Sequence, residues 1–298
     1  MQCVNPFFLK DYGFYVPCNK CLYCRMTRSR EWSFRISHEF ETFKHVGSFL
    51  TLTYNPLFLP LDGSLSKKHL QGFHKLLRRR FKDPLKYFAC GEYGGRFGRP
   101  HYHSLVLGVP PTWFHSNAVP GTAFRSGNGF GVYSSLWYSY DSDKKYPDAK
   151  GSHFLGHLHI APVVPRSIQY VAAYVMKKVH VNEDFYQGLQ PPFQLQSQGI
   201  GLEYAISHFD EFTSRHTYWN GKKIGVPRYY RKKIGTADDL PVSELNETAS
   251  QYYSAVDNGR LHLMEHYEKE LRKLIDSPEN SYKRTRMKKI MEKYKLSS

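Results

Sequence analysis

The sequence has 298 residues, 41% of them hydrophobic and 16% aromatic, which predicts a globular protein of one large domain, or of one domain plus an extension. Its 42 Lys and Arg against 26 Asp and Glu give a formal net charge of +16, so we expect a polyanionic partner, first of all nucleic acid. No segment approaches the roughly 18 apolar residues of a membrane span and the N-terminal residues lack a signal-peptide pattern, so we expect neither membrane insertion nor secretion.

Three of the five cysteines crowd into the segment PCNKCLYC, a C-x2-C-x2-C run formed by Cys18, Cys21 and Cys24. Cys3 is the candidate for a fourth thiolate that would complete a tetrahedral structural zinc site. A bacterial ferredoxin run needs another cysteine where this chain has Arg28, so an iron–sulfur cluster is disfavoured. Free buried thiols are the alternative, because thiols stay reduced inside cells and the pattern does not suit a disulfide framework.

The first half of the chain predicts a strand, a helix and a pair of strands. GSFLTLTYN (47–55) is β-branched and apolar, which indicates a core strand. SLSKKHLQGFHKLLRRRFKD (64–83) has apolar residues at helical spacing after a serine N-cap. LKYFACGEYG (85–94) and HYHSLVLG (101–108) indicate two antiparallel neighbours joined by a turn rich in Gly and Arg.

The second half begins with a segment (109–152) that is rich in Gly, Ser, Pro and Tyr and weakly periodic, which predicts a long, partly irregular insertion. FLGHLHIAPVV (154–164) indicates a further strand, and the good helix formers that follow predict a helix over about 166–179. The C-terminal third has a looser Gln- and Pro-containing stretch and two amphipathic helical patterns (243–275 and 279–296). The last pattern is strongly basic, which suits a nucleic-acid-binding tail or a solvated helix.

The order of these elements predicts an α+β fold, with a mostly antiparallel sheet and helices packed on it. We expect three regions along the chain. They are an N-terminal Cys-rich segment and helix over 1–46, a central domain over 47–185 with an insertion at about 109–152, and a basic C-terminal extension with helices over 186–298.

Two histidines one residue apart are candidate metal ligands. His101 and His103 project from one face of a strand, and Glu92 lies on the preceding strand, where antiparallel pairing can bring its carboxylate beside them. Two imidazoles and a carboxylate leave open positions on a divalent ion, and the oxygen share suits Mg²⁺ or Mn²⁺. The pattern is weak alone, because His157 and His159 form a second such pair on another predicted strand, and most such histidines are not ligands.

Two tyrosines on the predicted helix are candidate nucleophiles. Tyr170 and Tyr174 are four residues apart and therefore share a helix face, and Lys177 lies near the same face. A phenol has an ordinary pKa near 10, so it becomes a useful nucleophile only where a cation stabilises its oxyanion or activates its target. The alternative is that the tyrosines pack in the core with Val171 and Val175.

Three segments together resemble the HUH endonuclease superfamily. FLTLTY (49–54) resembles its motif I, RPHYHSLVLG (99–108) its motif II, and YVAAYVMKK its tyrosine motif III with a Y-x-x-K core, in the family's order. The nearest likeness is to the rolling-circle replication initiators of microviruses, of the gokushovirus type, whose N-terminal cysteine pattern this chain matches as PCNKCLYCR. The likeness spans about residues 17–180.

The resemblance implies an RNA-recognition-motif or ferredoxin-like sheet in which His101 and His103, with Glu92, hold a divalent metal. It implies an endonuclease and strand transferase in which a tyrosine attacks single-stranded origin DNA. The products would be a 5′-phosphotyrosine link and a 3′-OH, which the host polymerase extends in rolling-circle replication. Tyr174 ranks first as nucleophile because Lys177 completes its Y-x-x-K pattern, whereas Tyr170 has an alanine at that spacing. Host helicase is a further expected partner, and the host cytoplasm the expected location.

Two other functions fit part of the pattern. A non-enzymatic protein could present aromatic residues on the same type of sheet to single-stranded nucleic acid, which would account for the charge but not for three ordered motifs. Another HUH enzyme, such as a plasmid initiator, a relaxase or a transposase, would share the motifs, but the microvirus-like cysteine run argues against it. A requirement for Mn²⁺ or Mg²⁺ separates the enzymes from the binder.

Overall fold

The computed structural model describes residues 3–9, 14–94, 98–127, 129–138, 154–177, 188–212, 214 and 216–234. The chain forms two compact units, one made of Arg25–Gly201 and the other of Met1–Cys24 with Leu202–Ser298. The two predicted C-terminal helical patterns (243–275 and 279–296) lie outside the described residues. No helix among the residues that the structure describes is long and apolar enough to cross a membrane.

The described elements alternate between strands and helices along the chain. The strands are β1 (Phe7–Leu9), β2 (Phe14–Val16), β3 (Gly47–Thr53), β4 (Lys86–Tyr93), β5 (Pro100–Leu107), β6 (Phe124–Ser126), β7 (Gly129–Tyr133), β8 (His157–Pro162), β9 (Phe193–Gln196), β10 (His216–Trp219) and β11 (Lys222–Gly225). The α-helices are α1 (Leu22–Thr42), α2 (Lys67–Arg80), α3 (Pro111–Ser116), α4 (Pro165–Lys177), α5 (Leu202–Ser207) and α6 (Arg228–Ile234). Two short 3-10 helices cover Pro56–Phe58 and Phe209–Phe212.

A seven-stranded sheet lies in the larger unit, with the strand order β6-β7-β8-β3-β5-β4-β9. Every neighbouring pair in it is antiparallel. The predicted α+β class and the predicted antiparallel pairing of β4 with β5 are therefore confirmed, and so are the predicted strand and helix that became β8 and α4.

Strand alternation on β5 sorts its side chains between two hydrophobic cores. Tyr102 and Val106 join the core that includes the buried face of α2, whereas Leu105 and Leu107 join the core that includes residues of α1 and α4. His101 and His103 have the same parity as Leu105 and Leu107, so they point toward the side of α1 and α4. This alternation decides which helix can meet the histidines.

Helix α2 begins where the sequence predicted a serine cap. Ser66 Oγ accepts a hydrogen bond from the backbone N–H of His69 at 3.2 Å, which satisfies one of the free donors of the first turn. Three consecutive arginines fill the last turn, where cations interact favourably with the helix dipole. The buried residues recur at helical spacing and are Leu70, Phe73, His74 and Leu77.

The predicted insertion contributes structure that the sequence pattern did not reveal. Its described part contains α3 and the β6–β7 hairpin, and β7 pairs with β8 at the edge of the sheet. The strand pattern is obscured because Gly129 and Gly131 occupy positions where a side chain would overlap Ile160 and Phe124, respectively. Strand β9 was also missed, because FQLQ is short and lies in a Gln- and Pro-containing stretch.

The described parts of the smaller unit include two small hairpins. Strands β1 and β2 pair over three residues each, and β10 pairs with β11 over four. Asn220 and Gly221 connect β10 to β11 with φ angles of 49° and 71°, as a two-residue hairpin turn requires. Phe212, Tyr230 and Ile234 are buried in this unit.

Candidate active site

Strands β4 and β5 bring the three predicted metal ligands together. Glu92 lies directly opposite His101 in the antiparallel register, so the two side chains share a face of the sheet. His103 is two residues further along β5 and has the same orientation. The turn between the strands therefore does what the sequence predicted, because it folds a carboxylate nine residues back onto the imidazole pair.

The ligand atoms of these three side chains all lie within 4.8 Å of one another. Glu92 Oε1 is 2.9 Å from His101 Nε2 and 3.3 Å from His103 Nε2. The side chains of Glu92 and His103 are each 7% exposed, and that of His101 is 20% exposed. The cluster is thus largely buried and open at the His101 side.

The other ring nitrogens of the two histidines have oxygen partners. Nδ1 of His103 is 3.0 Å from Thr51 Oγ1, and Nδ1 of His101 is 3.2 Å from the carbonyl oxygen of Arg99. A carbonyl oxygen can only accept, so Nδ1 of His101 donates and the lone pair of its Nε2 faces Glu92. A lone pair and a carboxylate oxygen repel at 2.9 Å unless a proton or a cation lies with them. The donor set of two imidazoles and one carboxylate therefore fits a divalent cation.

Helix α4 places both predicted tyrosines at this cluster. Tyr170 Oη lies 3.5 Å from His103 Nε2, and Tyr174 Oη donates a short hydrogen bond to Tyr170 Oη. The ring of Tyr174 stacks on the imidazole of His103, with ring centroids 5.3 Å apart and an interplanar angle of 21°. Phe49 packs edge-on against Tyr170. Two hydroxyls and two imidazoles thus meet at one point of the sheet.

The two tyrosines differ in exposure. Tyr170 is 46% exposed, whereas Tyr174 is 7% exposed. Burial raises the pKa of Tyr174 well above its usual value, and hydrogen bonds with Glu92 and Tyr170 raise it further. Tyr174 is therefore a neutral phenol at neutral pH, and its proton is held among the groups of the site.

The third residue predicted for this helix is only partly described. Lys177 is the last residue of α4, and its side chain lies outside the described part of the structure. Its role in the Y-x-x-K pattern remains a prediction.

The second histidine pair lies on the same sheet face as the first. Thr51 is opposite both His103 and His159, and its neighbour two residues on, Thr53, donates to the carbonyl oxygen of His157 at 3.2 Å. Burial lowers the pKa of His157, and the positive charges of His159 and Arg99 lower it further. Among the described residues this pair belongs to no group of three or more potential ligands.

An exposed aromatic ring lies beside this second pair. Phe124 is 46% exposed, its ring lies over Gly131, and its centroid is 5.7 Å from that of the His157 imidazole. Gly131 is opposite His159, so this aromatic position continues the face that carries the metal cluster. The sequence analysis missed Phe124 because its strand was not predicted, and it missed Thr51 although the alternation of Phe49, Thr51 and Thr53 along β3 was available as a signal.

The four N-terminal cysteines form the other cluster of potential ligands. Their sulfur atoms also all lie within 4.8 Å of one another, and Cys18 and Cys24 are buried. Cys3 joins the C-x2-C-x2-C run from a position that the spacing alone did not fix.

The fold and the cluster define an α+β protein with a candidate centre of two histidines, a glutamate and two tyrosines on an antiparallel sheet. Residues 47–179, which contain this centre, match the family of the replication-associated protein ORF2. This part of the chain belongs to that family.

Three curated phage proteins are similar to the chain. The replication-associated protein ORF4 of Chlamydia phage 1 is 29% identical over 258 residues, which cover 83% of this chain and 59% of that protein. ORF2 of Spiroplasma virus 4 is 29% identical and VP4 of Bdellovibrio phage phiMH2K is 28% identical, each over 234 residues that cover 74% of this chain and 67% of the relative. Both are also named replication-associated proteins. The predicted microvirus likeness is thereby confirmed, while no solved structure matches the chain.

Proposed function

We propose that the protein is a replication initiator that cleaves single-stranded or origin DNA by tyrosine transesterification and later religates it. One observation carries this proposal, namely that Glu92, His101 and His103 meet the hydroxyl of Tyr170 at contact distance. The replication-associated names of the relatives support the biological setting. The HUH type of fold, with its RNA-recognition-motif or ferredoxin-like sheet, belongs to the same proposal.

The chemistry exchanges one phosphodiester for another. The attacking phenol loses its proton as its oxygen bonds to phosphorus, and the bond from phosphorus to the 3′-oxygen breaks. The 3′-oxygen takes up a proton and leaves as a 3′-OH, while the 5′ side stays linked to the tyrosine. Because the bond energy is retained in the phosphotyrosine, attack by a 3′-OH reverses the step and religates the strand without ATP.

Glu92, His101 and His103 would hold the Mg²⁺ or Mn²⁺ ion of this site. When bound, such an ion neutralises charge on the phosphate oxygens and orients the phosphate for in-line attack. Thr51 and the carbonyl oxygen of Arg99 fix the imidazole tautomers, so that both Nε2 lone pairs point to the same place.

Tyr174 and Tyr170 are the proposed nucleophiles, with Tyr174 ranked first because Lys177 completes its Y-x-x-K pattern. Tyr170 has the more exposed hydroxyl, which favours access by a polymer. Since the two hydroxyls are hydrogen-bonded to each other, either oxygen can approach the same phosphorus atom. This proximity supports alternate attacks, one that opens a round of replication and one that closes it.

We place the single strand on the sheet face that runs from His101 and His103 across His159 to Phe124. An exposed ring on that face can stack on a base, and stacking tolerates any sequence. The net charge of +16 favours a polyanion along this path. The released 3′-OH is then the primer for a host polymerase, and a host helicase and the host cytoplasm complete the proposed setting.

The test is cleavage by the full chain of single-stranded oligonucleotides tiled across the DNA that encodes it, with and without Mn²⁺. We expect a protein-linked 5′ product and a free 3′-OH product only when metal is present. Glu92→Gln is the matched variant, because it keeps the shape of the side chain and removes its charge. Tight binding of the oligonucleotides without cleavage would instead support the non-enzymatic binder.

A further inference from the structure

We propose that Cys3, Cys18, Cys21 and Cys24 hold one structural zinc ion. The inference is independent of the proposed nuclease, because these residues lie in the smaller unit and the candidate active site lies in the larger one. All four cysteines are free thiols in the structure. The fifth cysteine, Cys90, is buried in the hydrophobic core of the sheet and provides an internal comparison.

The sulfur positions match the edges of a zinc tetrahedron. Zinc–thiolate bonds of about 2.3 Å place neighbouring sulfurs about 3.8 Å apart in a tetrahedral site. The Sγ atoms of Cys18 and Cys24 are 3.9 Å apart, and those of Cys3 and Cys21 are also 3.9 Å apart. These two pairs are opposite edges of one tetrahedron, and all the sulfurs lie within 4.8 Å of one another.

The spacing also argues for a single ion. A disulfide would require two sulfurs at about 2.0 Å, which neither pair approaches. An iron–sulfur cubane occupies the space between its thiolates and spreads them further apart than one shared ion does. Four sulfurs that surround a single point therefore fit a mononuclear tetrahedral site, and zinc is the metal that such a sulfur set favours in proteins.

The backbone around the cysteines is arranged to stabilise thiolates. The N–H of Cys18 donates to the sulfur of Cys3 at 3.3 Å, and the N–H of Cys21 donates to the sulfur of Cys18 at 3.3 Å. Asn19 has a φ of 56°, which lets the chain turn between Cys18 and Cys21 and aims the second N–H back at the first sulfur. Donors aimed at sulfur offset the charge that four thiolates place on one ion.

The local fold also needs a tie of this kind. Strands β1 and β2 have three residues each, and Phe7, Phe8 and Tyr15 are at least half exposed. A two-stranded hairpin with so little burial is marginally stable on its own. Cys3 precedes β1, Cys18 and Cys21 follow β2, and Cys24 lies in the first turn of α1, so one ion would fasten both ends of the hairpin to the start of the helix.

The experiment measures zinc per chain in the full-length protein, purified with a reductant and dialysed against metal-free buffer. We expect one zinc ion per chain in the wild type and in Cys90→Ala, and a loss of that zinc in Cys21→Ser and Cys3→Ser. The wild type loaded with Co²⁺ should show the intense visible absorption of tetrahedral cobalt thiolate. Glu92→Gln should keep its zinc, which separates this site from the candidate active site.

A second measurement covers variants that fold poorly. Hydrogen exchange of the wild type, before and after removal of metal by a strong chelator, should show faster exchange in β1 and β2 after chelation and unchanged exchange in β3 and β5. Wild-type protein without zinc, bound iron instead of zinc, or equal zinc in wild type and Cys21→Ser would each overturn the proposal.

Discussion

Thr51 and His103 lie directly opposite each other on neighbouring strands, with Oγ1 and Nδ1 3.0 Å apart. When Nδ1 donates to the hydroxyl, the lone pair of Nε2 points at Glu92, as a metal ligand requires. The residue pair therefore couples the middle strand of the sheet to the candidate metal centre. It also makes the centre testable through a residue that is not itself a ligand.

Thr51→Val should weaken metal binding without removing a ligand. Loss of such an outer partner typically costs about 10- to 100-fold in metal affinity. We expect the Mn²⁺ concentration for half-maximal cleavage to rise by about that factor, with cleavage recovering at saturating metal. Thr53→Val is the matched control, because its hydroxyl binds the carbonyl oxygen of His157 and should leave the metal dependence unchanged. Equal shifts in both variants would contradict the orienting role of Thr51.

Replacement of the two tyrosines should separate their roles. Tyr174→Phe should reduce the yield of covalent adduct more than Tyr170→Phe, because it removes both the first-ranked nucleophile and the donor to the oxygen of Tyr170. The double variant should form none and still bind single-stranded DNA. The adduct is measured by its slower migration on a denaturing gel. An adduct that survives in Tyr174→Phe and disappears in Tyr170→Phe would reverse the ranking.

The exposed ring of Phe124 should contribute to binding of single-stranded DNA. Base stacking on an aromatic residue contributes about 1–3 kcal/mol, so Phe124→Ala should raise the Kd of a short oligonucleotide about 5- to 150-fold. Phe124→Tyr should bind normally. Gly131→Ala should weaken binding although the ring is retained, because the new Cβ would overlap it and displace it. Fluorescence anisotropy gives the affinities, and unchanged binding in Phe124→Ala would exclude this path for the strand.

Burial of His74 should make the protein sensitive to acid. Burial lowers the pKa of His74 to about 3, and the charge of Arg78 contributes to the same shift. An unfolded histidine takes up a proton below about 6.5, while the folded one stays neutral until about pH 3. The stabilisation is therefore complete above about pH 6.5, and the free energy of unfolding falls by about 1.4 kcal/mol per pH unit from this group as pH decreases toward 3.

His74→Phe should remove that contribution and keep the ring that stacks on Tyr87, where the centroids are 3.6 Å apart. Urea denaturation between about pH 6 and pH 4 should give the variant a shallower pH dependence than the wild type. The absolute stability of the variant is not the readout, because Ser104 also loses its contact with the imidazole. Parallel curves for the two proteins would show that His74 does not titrate as its burial implies.

Short-range patterns predicted much of the larger unit. The strands β3, β4, β5 and β8 and the helices α2 and α4 were all identified from residue periodicity, caps and turns. The hairpin β6–β7 and strand β9 were not, because glycines and short strands carry little periodicity. Those elements form because neighbouring strands offer hydrogen bonds, which is a property of the assembled sheet.

The sequence by itself determined which residues carry the chemistry: the projection of His101 with His103, the shared helix face of Tyr170 with Tyr174, and the spacing of the cysteine run. These follow from backbone geometry over a few residues. Only the tertiary structure decided that Glu92 faces His101, that Thr51 orients His103, that both phenols reach one imidazole, and that Cys3 closes the cysteine cluster. These relationships depend on strand register and packing between residues distant in the chain, which no local pattern encodes.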